Sequence, residues 1–282
     1  MKLRRRERDA LLTRMVGFLR DDRRVAAVWL WGSLGRGTGD DWSDLDLWVV
    51  TDDPPFDAIR EDFAGFIAPF SPLFVLEQTP NGPPGGTSFN VAFPGGETGA
   101  QNVDFTLWQR KAAWIGTDAR LLFDRGNLPK RAEPLTTGGN PEPEYGETEC
   151  LLRETRFFFL MWLVCVKYVA RNPGEERMGL FPYVVNAGNA VRHYFGHEPL
   201  PDVDGPRTPS PEEKIATLRR AMDELAAVLP RVRDAAARDG LPFEVTSQAV
   251  SASLRFLDSI TPPYRQPDNG PVAGEFASTL ET

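Results

Sequence analysis

The segment from Val25 to Thr51 constrains this chain more than any other. An unbroken apolar run, Val25 to Trp31, has the length of a strand and stops at Gly32-Ser33. Ten residues rich in Gly, Asp and Ser follow, Leu34 to Ser43. Asp44-Leu45-Asp46-Leu47 then opens a second strand, Asp44 to Thr51, which Asp52-Asp53-Pro54-Pro55 breaks. Side chains alternate along a strand, so Asp44 and Asp46 share one face while Leu45 and Leu47 turn into the core. The fold must therefore supply a sheet with one filled face and, on the other, a place where two carboxylates stand side by side.

Two neighbouring carboxylates repel each other unless a cation sits between them. Magnesium is a hard ion that takes oxygen ligands, typically one or two carboxylates together with substrate phosphates. Such a site holds the attacking and leaving oxygens of a displacement at phosphorus. Gly32 and Ser33 complement it, because a glycine turn lets backbone N–H groups and a hydroxyl approach phosphate oxygens. Arg36, in the same loop, is a further candidate phosphate contact.

The remaining pattern divides the chain. A helix is expected over residues 3–20, a second over 56–68 and a third around 111–123, with strands at 73–78, 87–93 and 102–108. Prolines and glycines gather between Asp124 and Gly146, a linker composition. Beyond them the periodicity is helical over 147–171, 180–195, 211–229 and 244–260, and Ser210-Pro211 with Glu213 reads as a capping box. This organises the chain as a catalytic region, residues 1–135, a helical region, 147–260, and a flexible tail, 261–282.

Charge and composition exclude several classes of function. The net charge is −8, with −2 over residues 1–135 and −6 over 136–282, and no basic stripe suited to long nucleic acid. The longest uncharged apolar run, Phe157 to Val166, is half the length a membrane helix needs. No signal peptide is visible, and two cysteines cannot make a disulfide framework, so a reducing, cytoplasmic setting is expected.

Gly32-Ser33, ten residues, then Asp44-x-Asp46 resembles the signature of the nucleotidyltransferase superfamily related to DNA polymerase β. The two-part layout is similar to that of the antibiotic nucleotidyltransferases, the aminoglycoside adenylyltransferases in particular. The resemblance implies an α+β fold, a mixed sheet with flanking helices followed by an all-α helical bundle. It implies Mg²⁺ and an NTP such as ATP as donor, with AMP passing to a hydroxyl of a small acceptor, an aminoglycoside-like antibiotic being one candidate. Gly32, Ser33, Asp44 and Asp46 carry over directly. The family also has a third carboxylate on a later strand. Asp104 fills that place, on a polar face with Asn102 and Thr106, and Glu77 is its competitor. Glu149 and Glu154 are further candidates for the general base.

Lys167 lies on a cationic helix face with Arg153, Arg156 and Arg171, which is either a plain solvated face or one that meets the donor phosphates. Related adenylyltransferases resemble it in placing a lysine from the helical domain on the nucleotide. The rival reading keeps the fold and changes the acceptor to a protein or tRNA, in the manner of an antitoxin. A ribonuclease reading rests on Arg192 and His197 alone, and Gly196 between them is expected to spoil its geometry.

Overall fold

The computed structural model describes residues 2–132, 138, 144–172, 180–199 and 209–260. The tail expected at 261–282 lies outside them, and of the linker expected at 124–146 only residues 124–132, 138 and 144–146 are described. Helix α1, Lys2–Asp21, places Leu11, Met15 and Leu19 on one buried stripe. It is followed by β1, Val25–Leu30, the helical turn α2, Gly32–Gly35, and β2, Leu45–Thr51. Two short helices come next, α3, Asp53–Glu61, and α4, Phe63–Ile67. The single helix expected at 56–68 is thus split. It starts early because Pro54 and Pro55 suit a first helical turn, and it breaks at Asp62, whose side chain caps α4 instead.

Strands β3, Val75–Thr79, β4, Gly86–Pro94, and β5, Ala100–Gln109, follow, with a 3₁₀ turn at Gly96–Thr98 before the last. The helix expected around 111–123 is absent. Ile115–Gly116, β6, pairs with Lys130–Arg131, β8, while Arg120–Asp124, β7, runs antiparallel along β1. The reason is tertiary: β1 would otherwise expose an unpaired, wholly apolar edge, which costs more than a local helix gains. Gly116 also lies under the Trp31 ring, where any Cβ would be 2.3 Å from ring carbon.

The six-stranded sheet has the order β3-β4-β5-β2-β1-β7, and only the central β5–β2 pair is parallel. One face is filled by α1, α3 and α4, which cover Leu45, Leu47, Val49, Val91, Val103, Phe105 and Leu107. The opposite face is banded. At one end Val75, Ala92 and Ala100 join the core of the C-terminal helices. At the other, Trp29, Trp48, Trp108 and Trp114 pack against one another. A polar row lies between these bands.

The C-terminal helices are α5, Glu147–Arg171, α6, Phe181–Tyr194, α7, Pro211–Arg238, and α8, Ser247–Ser259. The capping box forms at the start of α7: Glu213 N–H donates to Ser210 Oγ at 3.3 Å, and Ser210 N–H to Glu213 Oε2 at 2.7 Å. This helix continues past residue 229, its expected end, because Pro230 is on its exposed side, where water can replace the hydrogen bond the ring removes. The helices are not detached from the sheet. Trp42 and the Arg4 guanidinium both pack on Phe256 of α8, the latter 3.6 Å from the ring centroid. Burial there pulls the Arg4 pKa down to about 9.

Gly99 makes the tightest of these contacts. Its φ of 84° with ψ of −147° is a conformation open essentially to glycine alone, and a Cβ would lie 2.2 Å from the Ala252 carbonyl oxygen of α8. Gly99→Ala should therefore cost about 2–4 kcal/mol through backbone strain and displacement of α8. Chemical denaturation of both proteins checks this; an unchanged midpoint would mean that α8 docks without that contact.

Candidate active site

The polar row is built by register. Glu77 of β3 pairs with Asn90 of β4, Asn90 with Asp104 of β5, and Asp104 with Asp46 of β2. Paired positions on adjacent strands share a face, so these side chains form one line across four strands. Asp46 and Asp104 are immediate neighbours, and Glu77 stands two strands, about 10 Å, from Asp104. Asp44 lies just before β2, at the end of the Gly32–Ser43 loop.

Gly32 begins α2 with φ 63°, and a Cβ there would lie 2.1 Å from Asp46 Oδ2. Both the left-handed backbone and the carboxylate lying against it demand glycine. Ser33 Oγ donates to Ser43 Oγ at 3.0 Å, and Ser43 Oγ donates to Asp40 Oδ1 at 2.9 Å. Arg36 follows the turn, exposed, and close enough to Asp46 to favour its charged form. Arg8, buried on α1, donates to the Asp40 carbonyl at 2.7 Å and to the Ser43 carbonyl at 3.2 Å, fixing the loop from below.

The cationic face of α5 meets these acids directly. Lys167 Nζ donates to Asp44 Oδ1 at 2.6 Å and also contacts Oδ2. One turn on, Arg171 makes a fork to Asp40, 2.7 Å for each bond, and reaches Ser43 Oγ at 3.1 Å. Towards the start of the helix, Arg153 and Arg156 each lie 3.9 Å from Glu77, and Arg156 binds both oxygens of Glu244. The remaining base candidates have other partners. Glu149 accepts from Gly146 N–H at 2.7 Å at the start of α5, and Glu154 lies 3.8 Å from Arg153.

Three acids in the row are held close to neutrality. Burial raises Asp46 to about 6, with the Asp44 charge adding to it and Lys167 and Arg36 opposing. Burial likewise raises Asp104 to about 7, helped by Asp44 and Asp46. Glu77 is pushed up to about 7 by burial, against the pull of Arg156 and Arg153, with Glu244 and Glu154 raising it further. Asn90 emerges only from the structure: its side-chain amide donates to Asp104, and Asn102 adds a longer bond of 3.4 Å. Sequence alternation marked Asn102 as Asp104's neighbour but carried no signal for Asn90, because that pairing depends on the β4–β5 register.

Among the described residues no three acid, histidine or cysteine side chains converge closely enough to hold a metal ion as they stand. The chemistry of the donors nevertheless fits a hard cation. Asp46 and Asp104 are both destabilised as anions by burial and by the Asp44 charge, and Asp46 adds to this at Asp104. Asp44 already binds a cation, the Lys167 ammonium. The buried Oδ1 of Asn102, beside them, has no hydrogen-bond partner, and an acceptor stranded in this way is relieved by a hydroxyl or a metal-bound water. The side chains of Arg192 and His197, the pair behind the ribonuclease reading, have different partners. Arg192 binds Glu224 and the Glu198 carbonyl, while the His197 ring faces Arg231.

Residues 12–77 match the family described as Nucleotidyltransferase domain, a stretch that ends at Glu77 and contains Gly32, Ser33, Asp44 and Asp46. No curated protein matches the chain. None of the described helices is long and apolar enough to cross a membrane.

The raised acids predict an unusual pH dependence. An unfolded aspartate titrates near 3.8, whereas folded Asp46 and Asp104 titrate near 6 and 7. The folded state therefore holds more protons between those values, and this contribution to stability is complete below about pH 4 and lost as pH rises through 6 to 7. Asp46→Asn should raise the metal-free melting temperature at pH 8, by about 1–2 kcal/mol of stability, and flatten the fall between pH 5 and 8. Melting curves of both proteins in chelator check this; a variant that melts lower at pH 8 would identify Asp46 as a structural aspartate.

Proposed function

We propose that this chain, whose residues 12–77 match a nucleotidyltransferase domain, moves AMP from ATP, with Mg²⁺, to a hydroxyl of a small molecule. The observation that carries this reading is the register that lines up Asp46, Asp104, Asn90 and Glu77 on one sheet face, opposite the cations of α5. An aminoglycoside-like antibiotic is the first acceptor class to test. The net charge of −8 favours a small, cationic acceptor over tRNA.

Asp44, Asp46 and Asp104 are the residues that would hold the metal, which when bound would neutralise charge on the triphosphate and on the transferred phosphorus. The Gly32–Ser33 turn receives the phosphates, since its backbone is bare of side chain where Asp46 approaches it. Lys167 and Arg36 balance the donor's negative charge. Glu77 takes the proton of the acceptor hydroxyl. It is set apart from the metal-holding acids by Asn90 and is poised near neutral pH, where a general base works best. Asn90 orients Asp104 through its amide.

Purified protein incubated with ATP and Mg²⁺ and a panel of aminoglycosides, lincosamides and cellular small molecules should release pyrophosphate with at least one acceptor. A protein that binds no NTP in the presence of Mg²⁺ by calorimetry would refute the reading. Asp104→Asn should abolish transfer without changing the circular dichroism. Glu77→Gln should lower kcat by about 10²–10⁴-fold and remove the rise in rate through pH 7 that the deprotonation of Glu77 produces. A fully active Glu77→Gln enzyme would return the proton-accepting role to Asp104.

A further inference from the structure

Of the three clustered aspartates, Asp44 alone is paired with a cation from another element. The Lys167 ammonium contacts both of its carboxylate oxygens, and both side chains are about 15% exposed or less. A carboxylate whose two oxygens both face one ammonium is a poorer metal ligand, because the ammonium neutralises its charge and repels a second cation brought beside it. A largely desolvated pair also cannot lose one partner without cost, because the remaining charge is left uncompensated.

The helix that carries Lys167 is anchored independently of that pair. Arg171, one turn further on, forks onto Asp40 and reaches Ser43, which in turn accepts from Ser33. Lysine is a compact charge on a four-carbon stem with rotatable donors, unlike the rigid fork of arginine. Lys167 can therefore leave Asp44 by rotating about its own side-chain bonds while Arg171 keeps α5 seated on the loop.

We propose that Lys167 is a tethered cation that occupies Asp44 until an NTP arrives, so that the site refuses a bare divalent metal and accepts metal and nucleotide together. The inference rests on the nucleotidyl-transfer reading above. Triphosphate entering beside Gly32–Ser33 offers the ammonium several negative oxygens in place of two, and charge-assisted bonds to phosphate are strong. Lys167 then transfers from Asp44 to the phosphates, and Asp44 becomes free to ligate at the moment the metal has a substrate to act on. Lys167 is thus a positioning residue that couples two binding events, in addition to balancing the donor's charge.

The test is Mn²⁺ binding, read from the electron paramagnetic resonance signal of the free ion, with and without a non-hydrolysable ATP analogue. Without nucleotide, Lys167→Met should bind Mn²⁺ about tenfold tighter than the wild type, while Lys167→Arg stays within about threefold of it. With the analogue present the order should reverse, because the Met variant has lost its phosphate contact. In an Asp44→Asn background, Lys167→Met should bring no gain, as a double-mutant cycle requires of a direct pair. Equal Mn²⁺ affinity of wild type and Lys167→Met without nucleotide would overturn the inference. So would a gain that persists in the Asp44→Asn background, since it would then be a general field effect. Tight nucleotide-dependent Mn²⁺ binding together with either result leaves nucleotidyl transfer standing. Absence of Mn²⁺ binding in every protein, even with the analogue, refutes both.

Discussion

β2 and β5 run parallel at the centre of a sheet whose other pairings are antiparallel, and in their register Asp46 lies beside Asp104. That alignment concentrates negative charge on one sheet face, and much of the surrounding structure answers it. Leu45, Leu47, Val103 and Phe105 hold the register, because a slip of one residue would turn the acids into the core and the apolar side chains towards the helices on the other side. Gly32 is confined to glycine by the same alignment, since the Asp46 carboxylate fills the space a side chain would need.

Helix α5 is the counterpart. Thirteen of its residues are buried, yet its cations do not spread into solvent. They reach across to Glu77, Asp44 and Asp40, so one helix answers the acidic face at both its ends, while Asp46 and Asp104 carry no ion pair among the described residues. Such buried pairs contribute less to stability than their geometry suggests, since both partners lose water. Their value lies in specifying position: Arg171 and Arg156 fix the two ends of the helix over the sheet, and Lys167 sits above the metal-holding acids. The cleft between sheet and helix is therefore charge-matched before any substrate enters, and a substrate must exchange partners with it. Raised acid pKa values are the other sign of this tension and follow burial above all, since Glu77 is shifted upward although Arg153 and Arg156 flank it. Asp46 and Asp104 are shifted upward, and Asp104 is steadied by a neutral amide from Asn90.

Much of this was legible in the sequence. The alternation of Asp44, Leu45, Asp46 and Leu47, the Gly32-Ser33 break after an apolar strand, and the uninterrupted helical pattern of 147–171 each depend on local spacing, and each element forms where that spacing puts it. The cationic face of α5 was legible too, because Arg153, Arg156, Lys167 and Arg171 recur at helical intervals. What those cations touch was not. A solvated face and a face paired with a neighbouring sheet have the same sequence, and only the packing of α5 over the acids distinguishes them.

Local pattern misled where a long-range partner overruled it. Residues 111–123 carry a helix-like distribution of apolar side chains, but the open edge of β1 takes Arg120–Asp124 as a strand. Asn90 and Glu77 gain their meaning only from pairing with strands 14 and 13 residues away. By itself the sequence determined most of the elements, the two adjacent aspartates and the side of their strand they occupy, because these follow from dihedral preference and the two-residue repeat of a strand. The tertiary structure decided which acids become neighbours and which cation each one meets, because register and packing join residues that no local rule connects.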